Sequence, residues 1–271
     1  MTLSKKEGFI WDLYGVKLKS RLLLGSAMYS SPSILSKSIK SSETEVVTVS
    51  LSRQMPDKNC GSSFWDIVKN SGCYILPNTA GCHTVKDAVL MAQMAREIFS
   101  TEWIKLELIG DDYILHPDVI LLCEAAKELI NQGFKVFPYC TDDLVVCQKL
   151  IDCGCCVLMP GVAPIGSGCG VLNIYNLQLL RGRYKDIRII VDAGIGRPSD
   201  AVKIMETGVD GVLINSAISR ALCPESMALA FKYAVESGII AYNAGIIPKR
   251  NFAVQSTPLI DTPFWYTNKE N

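Results

Sequence analysis

Two charged residues lie inside a segment that otherwise predicts a buried strand. The segment reads WIKLELIG over residues 103–110, and it carries Lys105 and Glu107. Alternate side chains along a strand share a face, so these two residues should point to the same side. We predict that this side is the interior of a barrel and also holds Trp103 and Ile109, whereas Ile104, Leu106 and Leu108 face the surrounding helices.

A lysine at such a position can act as a nucleophile. Loss of hydration penalises the ammonium form, so we expect a lowered pKa for Lys105. The neutral amine would attack a carbonyl carbon, and Glu107, nearer the carboxyl end of the strand, would carry protons. The alternative is a buried lysine–glutamate ion pair with a purely structural role.

Three segments rich in small residues form a candidate anion site. VDAGIGRPSDA (191–201) predicts a strand, a turn and the start of a helix, where exposed N–H groups suit an anion. GVAPIGSGCG (161–170) and VLINSAIS (212–219) follow neighbouring predicted strands. In (β/α)8 barrels, a phosphate site often forms after the seventh and eighth strands. Asp192 is either a turn cap or a second acid/base group facing Lys105 across the barrel mouth.

The pattern of apolar residues predicts an α/β fold. Eight short apolar runs alternate with helix-like stretches such as 84–100 and 117–133, the second expected to start at its proline and to end with a glycine. We predict a closed (β/α)8 TIM barrel, with a doubly wound open sheet as the alternative. The barrel is expected to form a single domain over residues 1–247, and 248–271 to form a flexible or surface-draped tail. The predicted strands lie within 21–27, 45–50, 74–79, 103–110, 135–140, 156–161, 187–196 and 210–218.

Composition narrows the classes of function. The 271 residues carry a formal net charge of zero, which argues against broad binding of nucleic acid or an acidic membrane. The eleven cysteines are an odd number in a long chain, so we expect reduced thiols and a cytoplasmic protein. The amino terminus lacks the pattern of a targeting signal, and we expect no membrane segment. The cluster CGCC (153–156) lacks a matching second pair, so no metal site is expected, and neither histidine, His83 nor His116, is assigned a catalytic role.

Six ordered motifs resemble one enzyme family. WIKLELIGDD, LPNTAG, VFPYCTDD, APIGSG, VDAGIGRPSDA and VLINSAI together resemble the bacterial and plastid thiazole synthases, which build the thiazole ring of thiamin. The resemblance extends from about residue 10 to about residue 245 with the spacing kept. There are departures: the first strand reads GSAMY where the family usually shows GTGKY, and SRQMPDK (52–58) is also unusual.

The resemblance implies a (β/α)8 barrel that forms homo-oligomers and uses no cofactor. It implies thiazole formation from 1-deoxy-D-xylulose 5-phosphate, dehydroglycine and the sulfur of a small carrier protein with a C-terminal thiocarboxylate, while a separate enzyme supplies the dehydroglycine. Lys105 would form a Schiff base, with Glu107 and Asp192 as acid/base groups. The contacts to the sugar phosphate would fall on Gly166, Ala193, Gly194, Asn215 and Ser216.

Two other functions are compatible with the residues alone. A lysine beside phosphate-binding loops would equally serve a class I aldolase or a sugar-phosphate isomerase on the same barrel. A barrel without activity that only docks a partner protein is the third possibility, and its support is limited to the GSAMY and SRQMPDK departures.

Overall fold

The structure is a computed structural model that describes residues 10–51 and 61–254. The SRQMPDK segment and most of the predicted tail, 255–271, lie outside the described residues. Within the tail, residues 248–254 are exposed and form neither helix nor strand.

Eight parallel strands close into a barrel, so the closed form predicted from the sequence is confirmed over the open sheet. Around the barrel the strands follow the order β10-β11-β12-β3-β4-β5-β6-β9. Two antiparallel hairpins, β1–β2 and β7–β8, lie outside this ring. In chain order the strands are β1 (Trp11–Leu13), β2 (Val16–Leu18), β3 (Leu22–Gly25), β4 (Val46–Ser50), β5 (Tyr74–Asn78), β6 (Trp103–Leu106), β7 (Ile109–Asp111), β8 (His116–Pro117), β9 (Lys135–Cys140), β10 (Val157–Pro160), β11 (Arg188–Asp192) and β12 (Gly211–Ile214).

Helices connect the barrel strands, and several of them begin at a side-chain cap. Thr84 accepts a hydrogen bond from the Asp87 N–H, and Asp118 accepts from the N–H groups of Ile120 and Leu121. The second of these helices therefore begins after Pro117, which belongs to β8 rather than to the first helical turn. The helices of the described residues are α1 (Pro32–Ser42), α2 (Gly61–Asn70), α3 (Val85–Phe99), α4 (Val119–Asn131), α5 (Leu144–Asp152), α6 (Ile174–Arg183), α7 (Pro198–Met205), α8 (Ser216–Ser219) and α9 (Pro224–Ala244).

The apolar residues form two cores, one on each side of the barrel wall. The outer core packs Ile104, Leu106 and Leu108 among helix residues, whereas Trp103 belongs to the inner core. The predicted alternation along this segment is thus confirmed. The inner core holds Trp11, Leu13 and Leu18 of the β1–β2 hairpin together with Leu23, Val46, Leu76, Trp103, Phe137, Val157, Met159, Ile190 and Leu213.

The β1–β2 hairpin closes the amino-terminal end of the barrel. The Tyr14 hydroxyl donates to the Val136 carbonyl at 2.8 Å, and Arg188 Nε donates to the Asp12 carbonyl at 2.9 Å. Val136 and Arg188 lie at the starts of β9 and β11. Side chains of the hairpin fill this end of the barrel interior, whereas a cavity opens at the carboxyl ends of the strands.

The predicted strand over 103–110 is two separate elements. β6 ends at Leu106, and Ile109 pairs with Pro117 in an antiparallel hairpin. The hydrogen-bonding partners change at this point, because the Ile109 N–H donates to the Cys82 carbonyl and the Leu108 carbonyl accepts from Asp118. Glu107 therefore lies just beyond the barrel strand. Among the described residues, none of the helices has the length and apolar character needed to cross a membrane.

Candidate active site

A cavity of about 290 Å³ opens at the carboxyl ends of the barrel strands. Its walls include the last residues of β3, β4, β5, β11 and β12. The structure brings all eight residues predicted for the site together in these walls, namely Lys105, Glu107, Asp192, Gly166, Ala193, Gly194, Asn215 and Ser216.

Lys105 lies between two carboxylates from different parts of the chain. Its Nζ atom is 2.9 Å from Glu107 Oε1 and 2.6 Å from Asp192 Oδ2. All three residues are buried, with exposed fractions of 6%, 7% and 5% for Lys105, Glu107 and Asp192. The structure thus places Asp192 opposite Lys105. One cation and two anions share a space that is largely closed to water.

The predicted lowering of the Lys105 pKa is wrong. Burial does lower it, but the charges of Asp192 and Glu107 outweigh burial and raise the pKa of Lys105 above its ordinary value. Burial also raises the pKa of Asp192, against the opposing effect of the lysine charge. A free amine at this site would require the ammonium group to give up its proton, and Asp192 Oδ2, at 2.6 Å, is the nearer of the two carboxylates.

Tyr139 is a further part of this cluster that the sequence reasoning missed. The Lys105 Nζ atom lies 5.9 Å from the centre of its ring, and burial raises the pKa of Tyr139, so its hydroxyl stays protonated. The available signal was its position on β9, two residues beyond the inward-facing Phe137. A neutral phenol at this place limits the polarity around the amine without adding charge.

The turn after β11 approaches the loop after β10 very closely. Gly194 has φ of +83°, and a Cβ atom on it would lie 2.5 Å from the backbone nitrogen of Ala163. Ala193 also adopts a positive φ, 69°, which is uncommon for a residue with a side chain. Gly194, which has no side chain, therefore lets the backbone of the two loops meet beside this part of the cavity.

The first N–H groups at the start of α7 are bonded within the turn and do not face the cavity. Both Gly196 and Arg197 donate their N–H groups to Asp200 Oδ2, at 3.1 and 2.9 Å. The part of the turn that lines the cavity is instead Ala193, Gly194 and Ile195. At the start of α7, the N–H groups of Gly196 and Arg197 are therefore already bonded to Asp200.

Asn215 uses its side chain to hold a neighbouring loop. With its amide oriented so that nitrogen faces the carbonyls, it donates to Gly25 at 3.2 Å and to Ala27 at 2.9 Å. A Cβ atom on Gly25 would lie 2.4 Å from Asn215 Cβ, so the small residue is required for this contact. The GSAMY departure thus occupies a loop that Asn215 fixes against the cavity, beside Ser216.

The cavity wall also holds polar residues that the sequence did not single out, and His83, which was considered there without a catalytic role. Ser26, Thr48 and Asn78 lie at or beside strand ends, and His83 also lines the wall. The His83 ring nitrogen Nδ1 lies 3.0 Å from the Ile109 carbonyl, and about half of its side chain is exposed. His116 is exposed on β8 and lies outside the cavity wall. Among the described residues, His, Cys, Asp and Glu side chains do not gather into a group that could hold a metal ion.

Comparisons with known proteins agree on one family. Residues 12–258 match the family model described as Thiazole biosynthesis protein ThiG. The chain is 53% identical over 256 residues to a thiazole synthase of Coxiella burnetii (strain Dugway 5J108-111), covering 94% of this chain and 98% of that protein. It is also 53% identical to a thiazole synthase of Rhodopseudomonas palustris (strain BisB18), covering 93% and 97%.

A solved structure supports the same relationship at greater distance. The crystal structure of the Amycolatopsis orientalis BexX/CysO complex includes a chain that superimposes with a TM-score of 0.79 and 26% sequence identity. The match covers 89% of this chain and 98% of that chain. With the family model and the curated relatives, this places the chain in the ThiG family of thiazole biosynthesis proteins, the thiazole synthases of thiamin biosynthesis.

Proposed function

We propose that this protein forms the thiazole phosphate carboxylate of thiamin through a Schiff base on Lys105. The substrates are 1-deoxy-D-xylulose 5-phosphate, dehydroglycine and the sulfur of a small carrier protein that ends in a thiocarboxylate. The observation that carries the proposal is the buried Lys105 amine with two carboxylates within 3 Å of it, one at 2.6 Å and one at 2.9 Å.

The cluster can supply each proton that imine chemistry requires. Lys105 passes a proton to Asp192, and its neutral nitrogen attacks the ketone carbon of the sugar; the ketone oxygen leaves as water once protonated. Removal of a proton from the neighbouring carbon then moves the carbonyl along the chain, with Glu107 or Asp192 as the base. Because burial raises the pKa of Asp192, this carboxylate accepts a proton more readily than an ordinary aspartate does.

The later steps involve the carrier and the third substrate. The thiocarboxylate sulfur attacks the migrated ketone, the acyl group of the carrier moves from sulfur to the former ketone oxygen, and the carrier leaves as its carboxylate with the sulfur left on the sugar carbon. Dehydroglycine then closes the ring with loss of water, its nitrogen replacing the lysine nitrogen, which leaves as the free amine of Lys105. The cavity opens at the rim of the barrel, where the end of a carrier protein can reach Lys105. The solved BexX structure contains a second protein, CysO, which supports a protein partner for this chain as well. We further propose a homo-oligomer, and a separate enzyme that supplies the dehydroglycine.

The phosphate of the sugar is proposed to bind where Gly166, Ala193, Gly194 and Ser216 line the cavity, the phosphate wall. Gly166, Ala193 and Gly194 bring the backbone of two loops to the surface there, and Ser216 adds a hydroxyl group at the start of α8. Backbone N–H groups in turns of positive φ are effective anion ligands. Asn215 supports this wall by holding the loop after β3.

The test is to trap the imine. The protein is incubated with 1-deoxy-D-xylulose 5-phosphate, reduced with borohydride and mapped by peptide mass. We expect an adduct on Lys105 that is lost in Lys105→Ala. Lys135→Ala is the matched control, because Lys135 is also a strand lysine paired with a carboxylate, Glu102 at 3.2 Å, but lies away from the cavity. A folded wild-type protein that yields no adduct would rule out the imine mechanism.

A further inference from the structure

We propose that Thr79 is a positioning residue that holds Lys105 and Glu107 in the geometry needed for reaction. Thr79 is completely buried and follows directly after β5. It makes no direct contact with the Lys105 amine, and its effect passes through the backbone of the segment that carries the two charged side chains. The inference rests on the proposed function only for the meaning of that geometry in catalysis.

Three hydrogen bonds join Thr79 to the segment. Its N–H donates to the Lys105 carbonyl at 3.1 Å. Its hydroxyl donates to the Glu107 carbonyl at 2.7 Å and accepts from the Glu107 N–H at 2.8 Å. Thr79 thus binds the backbone of Lys105, which carries the reacting nitrogen, and the backbone of Glu107, whose carboxylate lies beside that nitrogen.

The Thr79 hydroxyl supplies hydrogen bonds to Glu107 where the backbone pairing of β5 with β6 ends. The two strands pair at Asn78 and Lys105. Beyond this point β5 leaves the barrel in a turn, in which the Cys82 N–H donates to the Thr79 carbonyl. Glu107 would otherwise face no backbone partner from β5. A buried N–H and carbonyl both need partners, and a hydroxyl is a side-chain group that can donate and accept through one atom.

Loss of the hydroxyl should therefore release one of the two carboxylates from Lys105. The groups that face its Nζ atom are Glu107 beyond β6, Asp192 from β11 and the ring of Tyr139 from β9. Thr79 bonds the backbone of Glu107 and not that of Asp192 or Tyr139. Without the two hydroxyl bonds, the Glu107 peptide is free to rotate and carry its carboxylate away from the amine.

The test compares three variants by the chemistry of the lysine itself. Thr79→Val removes the hydroxyl and keeps the branched shape, whereas Thr79→Ser keeps the hydroxyl. Thr44→Val is the matched control, because the buried Thr44 hydroxyl also bridges backbone, donating to the Leu22 carbonyl at 2.6 Å and accepting from the Val46 N–H at 3.3 Å, but at the amino-terminal ends of the strands. Reductive methylation with formaldehyde over a range of pH, mapped by peptide, reports the midpoint at which Lys105 becomes reactive.

We expect Thr79→Val to lower that midpoint, while Thr79→Ser and Thr44→Val keep the wild-type value. At a pH above both midpoints, where the amine is free in either protein, imine trapping with 1-deoxy-D-xylulose 5-phosphate should be about 10- to 100-fold slower in Thr79→Val, the range expected for a misplaced reacting group. The KM for the sugar phosphate should change little, since the phosphate wall is untouched. Thr79→Ser should retain the rate.

Two results would overturn the inference. One is a folded Thr79→Val protein with the wild-type midpoint and imine rate. The other is a Thr79→Ser protein that loses both the wild-type midpoint and the wild-type imine rate, because the hydroxyl would then be insufficient to position the lysine. This second result refutes the inference even if Thr79→Val does not fold. A wild-type protein that forms no imine counts against the proposed function. Methylation needs no substrate, so its midpoint still tests the role of Thr79 in that case.

Discussion

Replacing the cation of the buried cluster should destabilise the fold far more than replacing one of its carboxylates. The Lys105 amine lies 2.6 Å from Asp192 and 2.9 Å from Glu107. At an effective dielectric constant of about 20, each contact is worth roughly 6 kcal/mol before the cost of burying the charges is subtracted. Lys105→Met leaves two buried carboxylates without a cation, and breaking a buried ion pair in this way costs about 3 to 5 kcal/mol.

The pH dependence of this loss has a definite sign. Burial already raises the pKa of Asp192, and removing the ammonium group of Lys105 removes the interaction that opposes the rise. The folded variant then binds a proton that the unfolded chain releases above about pH 4, the ordinary range for aspartate. Its free energy of unfolding therefore falls as pH increases. The deficit relative to the wild type should be larger at pH 8 than at pH 5.

Urea unfolding followed by tryptophan fluorescence at both pH values measures the effect. Asp192→Asn is the comparator, because it keeps the pair of Lys105 with Glu107 and leaves one cation for one anion. Its cost should stay below about 2 kcal/mol, the scale of one hydrogen bond to a charged group. Equal losses in Lys105→Met and Asp192→Asn, or a deficit that does not grow with pH, would show that the cluster is not charged as we infer.

Three further predictions test the phosphate wall and the amine. Gly194→Ala should raise the KM for the sugar phosphate about tenfold, equivalent to about 1.4 kcal/mol, because the new Cβ meets Ala163; unchanged kinetics would exclude a role for this turn. Its control is Gly182→Ala in α6, where a Cβ meets nothing, and urea unfolding should show a gain of about 0.5 to 1 kcal/mol. Asn215→Ala should cost about 2 kcal/mol in the same assay, since two hydrogen bonds to the loop after β3 are lost; no loss would mean that the amide does not hold the loop. The rate of borohydride-trapped imine formation should increase from pH 6 to pH 9, because the pKa of Lys105 is raised and its free amine becomes more abundant with pH; a flat profile would contradict this.

The fold was predictable because its signals are local and repeated. Eight apolar runs with helix-like stretches between them are enough to indicate a barrel, and alternation over 103–110 placed Ile104 and Lys105 on opposite sides of the wall. The end of β6 at Leu106 was not predictable, because Glu107 and Leu108 continue the same alternation. What ends the strand is the departure of β5, where Thr79 replaces the backbone partner.

The direction of the pKa shift of Lys105 could not be predicted from the residues next to it in sequence. Alternation along one strand reports that Lys105 is buried, and burial alone lowers its pKa. The net shift depends on how near the carboxylates lie, and the closer of them, Asp192, comes from a strand far along the chain. The motif likewise named Asn215 without telling which atoms it binds. The carbonyls of Gly25 and Ala27 lie within hydrogen-bonding distance of its amide, whose nitrogen binds both once it is oriented toward them. Residue identity along the chain therefore predicts which groups meet in the cavity. Their protonation and their hydrogen-bond partners depend instead on distances between strands. The lysine and asparagine variants test the consequences of those distances for stability.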